Sequence, residues 1–120
     1  MKKKTISQLK TKADQVFSLY IRNRDQGVCI TCGIKKPVKE MQAGHFVSRR
    51  HLATRYDKWN VNCQCMQCNV FLKGNMVKYA KALMDKYGDN IVRELDEKSK
   101  KTAQLKRADY LAIIEAYENT

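Results

Sequence analysis

The chain has 120 residues, 43% of them hydrophobic, which suits one folded domain and is too ordinary a composition for disorder throughout. Lys and Arg outnumber Asp and Glu by 24 to 12, giving a formal charge of +12; this predicts a polyanionic partner, nucleic acid before a membrane, since no basic amphipathic face with bulky apolar residues opposite is evident. No apolar run reaches transmembrane length and "MKKKTISQLK" lacks an apolar signal core, so the expectation is a cytoplasmic protein whose five cysteines stay reduced and serve as metal ligands before disulfides.

From the N-terminus, the lysines at 2–4 read as a flexible tail. Ile6, Leu9, Ala13, Val16, Phe17, Tyr20 and Ile21 then recur at three- and four-residue steps, the apolar face of a helix that should stop at "NRDQG", where Gly27 ends it. In "VCITCGIKKPVKEMQAGHF", Cys29 and Cys32 bracket a turn with Gly33 beside them, and Pro37 rules out a helix through it. Alternation from Val38 to Gln42 suggests a short strand delivering His45. Residues 47–57 lack a period and carry Arg49, Arg50, His51 and Arg55, a basic loop. "KWNVNCQCMQCN" reads as a second strand or turn closing on Cys65 and Cys68. A helix over 69–88 follows, striped by Val70, Phe71, Val77, Ala80, Leu83 and Met84. Further helices are predicted over 90–98 and 102–117, the last marked by Leu105, Ala108, Leu111, Ala112 and Glu115. Trp59 and Phe71 read as core, Tyr20 and Tyr79 as packing residues. The order is an N-terminal helix (1–26), a metal-pinned core (27–87) and C-terminal helices (88–120), one mostly helical α+β domain.

The sharpest chemical signal is Cys-x-x-Cys used twice. Cys29, Cys32, Cys65 and Cys68 can give four thiolates to one tetrahedral zinc, a closed and therefore structural site that replaces core a short chain cannot build. Cys63 is left over, a buried thiol or a competitor of Cys65. The clip would hold both ends of the segment that contains His45, stiffening it for chemistry.

Inside that segment stand His45, then Asn60, then Asn69 directly after the fourth cysteine, with Lys73 beyond. This order resembles the HNH branch of the His-Me finger nucleases, with their ββα-metal core. The ordered pieces "FSLYIRNRD", "CITCG", "AGHF", "RYDKWNVNCQCMQCN" and "KGNMVKY" resemble one phage family, the NinG (Rap) recombination nucleases of lambdoid and related phages, over residues 16–95. The resemblance implies a metal-dependent endonuclease cutting branched recombination intermediates such as Holliday junctions or D-loops inside the bacterial host cell. It implies His45 as general base, Asn60 as the residue that shapes the loop, Asn69 as ligand of a Mg²⁺ or Mn²⁺ ion, and Lys73 or a loop arginine on the scissile phosphate. The residue before the base is often an aspartate in HNH sequences but here is Gly44, so the first carboxylate ligand is open between Glu40 and Asp57. Arg49, Arg50, Arg55 and Lys58 are the expected DNA-backbone contacts, and His51 a solvent or DNA-facing residue.

Two other readings stand beside this one. A zinc-stabilised module could recognise DNA structure without cutting, or an HNH enzyme could act on another DNA substrate. The C-terminal helix suits a homodimer or self-packing equally.

Overall fold

A computed structural model describes residues 3–119; the tail lysine at 2 lies outside them. Helix α1 (Ile6–Arg24) begins at a capping box in which Thr5 and Gln8 satisfy each other's backbone amides. It buries Leu9, Ala13, Val16, Phe17 and Ile21, close to the expected stripe, while Ile6 stays exposed. The chain turns at Gly27, where φ is +71° and a Cβ would run into the Lys36 carbonyl, so only glycine fits.

A 3₁₀ turn (Val38–Glu40) replaces the expected start of the first strand, because Pro37 fixes the entry and the Glu40 and Met41 amides fold back on the carbonyls of Pro37 and Val38. Strand β1 (Gln42–His45) follows. It pairs antiparallel with β2 (Val61–Gln64) in the register Gln42 to Gln64, Ala43 to Cys63, Gly44 to Asn62 and His45 to Val61. Between them the basic loop contains a one-turn helix, α2 (Leu52–Arg55). The rest of the molecule is α3 (Met76–Tyr87), α4 (Ile91–Ser99) and α5 (Arg107–Tyr117), giving an α+β and mostly helical architecture.

Side chains alternate across a strand, and the two faces of the hairpin are covered by different helices. Phe17 and Ile21 of α1 pack on Val61 and Ala43. On the other face Tyr79 of α3 donates to the Gly44 carbonyl at 2.6 Å and accepts from the Asn62 amide at 3.2 Å. His45 therefore leaves the sheet on the α1 side.

The single helix predicted over 69–88 is two pieces. A π-helical turn (Gln67–Phe71) is followed by Lys73, Gly74 and Asn75, all at positive φ, before α3 starts. The Gly74 amide returns to the Cys68 carbonyl at 2.8 Å and the Asn75 side chain reaches the Cys68 sulfur at 3.7 Å. The requirement to wrap Cys68 breaks the helix, and it overturns the predicted stripe: Val70, Phe71 and Val77 are exposed, Phe71 by 67% and Val77 by 87%. Trp59 is also exposed, by 52%, so neither it nor Phe71 belongs to the core. In α5 the inward residues are Tyr110, Ile113 and Ile114, which meet Leu9 and Ala13 of α1. Ala108, Leu111 and Ala112 of the predicted stripe face outward.

Candidate active site and metal centre

The sulfur atoms of Cys29, Cys32, Cys65 and Cys68 lie within 4.8 Å of one another, with Cys32 and Cys65 3.6 Å apart. Tetrahedral zinc with bonds of about 2.3 Å needs sulfurs about 3.8 Å apart. The cluster therefore suits a metal ion such as zinc, and the donors around it fit a thiolate site: the Cys68 amide points at the Cys65 sulfur (3.4 Å) and the Asn75 side-chain amide at the Cys68 sulfur. Cys63 stands outside the cluster in β2, where burial and the Asp25 carboxylate push its thiol up to about 11. Its backbone amide donates to Asp25 at 2.8 Å. Among the described residues no other group of three or more His, Cys, Asp or Glu side chains comes close enough to share an ion.

One end of the hairpin opens into a cleft of about 340 Å³ between α1, β1, the loop and the π turn. His45 and Asn69 line it together, with Asp14 and Ser18 of α1, Ser48, Arg49, Arg55 and Tyr56. The His45 Nε2 lies 2.9 Å from the Arg55 carbonyl. A carbonyl only accepts, so Nε2 carries the proton and Nδ1 keeps the lone pair. Burial holds the imidazolium below its ordinary pKa; the Arg55 carbonyl and Asp14 oppose this, while the charges of Arg49 and Arg55 add to it. His45 is consequently a neutral base at pH 7. Asn69 donates its amide to Gln42 Oε1 at 2.6 Å; its side-chain oxygen, which that bond does not use, is the atom that could hold a cation.

Asn60 is fully buried and ties the loop to itself. Its Oδ1 accepts from the Val47 amide at 2.8 Å, and its Nδ2 donates to the Val47 and Thr54 carbonyls, both at 3.1 Å. It does not line the cleft.

Other expected residues are placed elsewhere. Asp57 accepts from the Trp59 amide (2.8 Å), caps Asn60 and pairs with Lys98 of α4 at 2.6 Å, bordering a separate depression. Glu40 sits exposed on the 3₁₀ turn. Neither carboxylate is brought to the cleft. Lys73 is exposed and lies outside the cleft's lining, as do Arg50, Lys58 and His51. Arg49 lines the cleft with its side chain 62% exposed, whereas the Arg55 side chain is 7% exposed and forked onto Asp14. Arg55 is thus an internal anchor rather than a free DNA contact.

Asp14 is the residue the sequence reading misses. It is the one acid in a helix that otherwise carries Lys10, Lys12, Arg22 and Arg24, and that contrast was the available signal. It accepts from Arg55, Arg49 and Tyr56. Burial raises its pKa, but these partners outweigh burial and leave the carboxyl below its ordinary value.

A family model for the bacteriophage lambda NinG protein matches residues 1–120. This chain belongs to the NinG family. Among its relatives, protein ninG of Salmonella phage P22 is 32% identical over 92 residues, 75% of this chain and 45% of the relative. Protein ninG of Escherichia phage 933W is 32% identical and that of Escherichia phage lambda 31% identical, each over 87 residues and 71% of this chain, covering 43% and 42% of those proteins. The matched part of this chain thus covers less than half the length of these relatives. No solved structure matches it. Among the described residues, no helix of this NinG family member is long and apolar enough to cross a membrane.

Proposed function

We propose that this protein is an HNH-type endonuclease with a ββα-metal core, hydrolysing phosphodiesters in branched recombination intermediates of phage DNA. The observation that carries the reading is the His45 imidazole, pinned through Nε2 to the Arg55 carbonyl at 2.9 Å so that Nδ1 keeps its lone pair, on a residue that lines one cleft together with Asn69. In the proposed step, His45 Nδ1 takes a proton from a water whose oxygen attacks phosphorus. The bond to the 3′ oxygen breaks, leaving a 5′-phosphate and a 3′-hydroxyl protonated from solvent. Arg49, 62% exposed and paired with Asp14 at 3.1 Å, is the cleft cation that would turn to the phosphate. A Mg²⁺ or Mn²⁺ ion held by the Asn69 oxygen and waters would supply charge neutralisation at the phosphate and leaving oxygen. Asn60 shapes the loop, and Lys73, Arg50 and Lys58 contact backbone outside the cleft.

The test is incubation of four-way-junction and linear DNA with Mg²⁺ or Mn²⁺, comparing the protein with His45→Ala. Junction cleavage lost in His45→Ala while binding persists supports the nuclease; cleavage that survives the substitution removes His45 as the base. A second reading, a zinc-stapled DNA-binding module without cleavage, is favoured by the Arg49–Asp14 pair, which neutralises the acidic residue of the cleft. Binding by both proteins with no product in either ion would select it.

A further inference from the structure

Resting on the nuclease reading above, we propose that Asp14 is a positioning residue for His45, acting through Arg55. Arg55 faces two ways. Its carbonyl oxygen holds the His45 Nε2–H at 2.9 Å. Its guanidinium is forked onto Asp14, Nε to Oδ1 at 3.0 Å and Nη2 to Oδ2 at 2.6 Å, and its third nitrogen donates to the Arg49 carbonyl at 2.8 Å. Tyr56 ties the next residue to the same carboxylate, its hydroxyl 2.7 Å from Oδ1.

These contacts bind an irregular loop to a rigid helix. Asp14 lies mid-way along the 19 residues of α1, which is capped at Thr5 and backed by α5. The carbonyl that selects the His45 tautomer is therefore placed relative to α1 by a planar, bidentate fork. A displacement of about 1 Å would stretch the Nε2–H bond beyond useful length and release the imidazole to its other tautomer. Both oxygens of Asp14 already accept two donors each, from Arg55, Tyr56 and Arg49, so the carboxylate orients its neighbours and does not serve as an ion ligand.

The experiment reads the side-chain nitrogens of the two histidines by ¹⁵N NMR in the zinc-loaded protein without DNA, with His51→Gln used for assignment. His45 is expected as the Nε2–H tautomer in the natural protein and as a mixture in Asp14→Asn. On junction DNA, Asp14→Asn is expected to lose about tenfold or more in kcat with KM nearly unchanged, and Asp14→Glu to recover part of the loss. Arg55→Lys and Tyr56→Phe, each removing a different tether, repeat the tautomer measurement should Asp14→Asn not fold. A folded variant that keeps the single Nε2–H tautomer, or whose loss lies in KM alone, overturns the assignment. The tautomer needs no turnover, so a natural protein that cuts nothing defeats the nuclease reading without deciding the role of Asp14.

Discussion

Gly44 occupies the position that precedes His45, the proposed base. Strand alternation directs position 44 away from the His45 face, and a Cβ there would run into the buried Gln64 side chain. Gln64 cannot easily yield: its Nε2 donates to the Gly74 carbonyl at 2.9 Å, and its Oε1 is the one buried side-chain polar atom without a partner among the described residues. Gly44→Ala is expected to cost about 1–3 kcal/mol through overpacking, read as a lower midpoint in thermal or urea unfolding. An unchanged midpoint would mean that Gln64 has room to move. At the same scale, His45 carries a pH prediction. Its pKa lies below the ordinary 6.5 because of burial and the nearby Arg49 and Arg55 charges. The neutral base thus persists as pH falls through the range where an exposed histidine protonates. Junction cleavage is expected to keep its rate down to about pH 6.5 and to decline only below it; an acid limb at or above 6.5 would contradict a buried, charge-flanked base.

At the scale of elements, the four cysteines join pieces that share little apolar packing of their own. Cys29 and Cys32 come from the turn after α1, Cys65 directly follows β2 and Cys68 lies in the π turn; the buried side chains packed there are Cys29, Cys65 and Cys68 with only Met41 and Cys63, while Cys32 is exposed. Metal removal should act on this end first. A strong chelator is expected to lower the melting temperature and abolish cleavage even with excess Mg²⁺, while α1 and α5, joined through Leu9, Ala13 and Tyr110, retain much of their helical signal. Retained activity after zinc is verified absent would show that the hairpin stands without its staple. The cysteines and α1 were legible because each depends on spacing within a few residues; the strand that carries His45 exists but starts at Gln42, the alternation before it belonging to a 3₁₀ turn. The break between the π turn and α3 was not: two of its three positive-φ positions are Lys73 and Asn75, residues that give no glycine signal, and their conformation is imposed by the contacts around Cys68. Asp14 escaped for a related reason, since its meaning comes from Arg55 and Tyr56 across the fold. The inward face of α5, Tyr110, Ile113, Ile114 and Tyr117, keeps regular helical spacing; it was misread because Leu111 with the alanines at 108 and 112 offers a competing apolar stripe of the same period.

For the whole molecule, the charge of +12 distributes into two classes of cation. Arg24, Arg55 and Lys98 are engaged with Asp25, Asp14 and Asp57, and they hold the fold together. Arg50 and Lys58 are exposed; Arg49 is 62% exposed but shares Asp14 with Arg55, so it meets phosphate only by leaving that carboxylate. α5 spends Tyr110, Ile113 and Ile114 against α1, so a second copy would have to use another surface. Binding to phosphate releases counterions, and log K should fall with log salt by about 0.9 for each contact. Removing Arg49 and Arg50 together is expected to reduce that slope by about 2 while weakening binding to junction and duplex alike. Arg55→Lys should leave the slope nearly unchanged and reduce cleavage instead, because its guanidinium is committed to Asp14 in the free protein. Equal loss of slope from Arg55→Lys would mean that the guanidinium abandons Asp14 for the phosphate on binding, and the internal anchor would then be a switch.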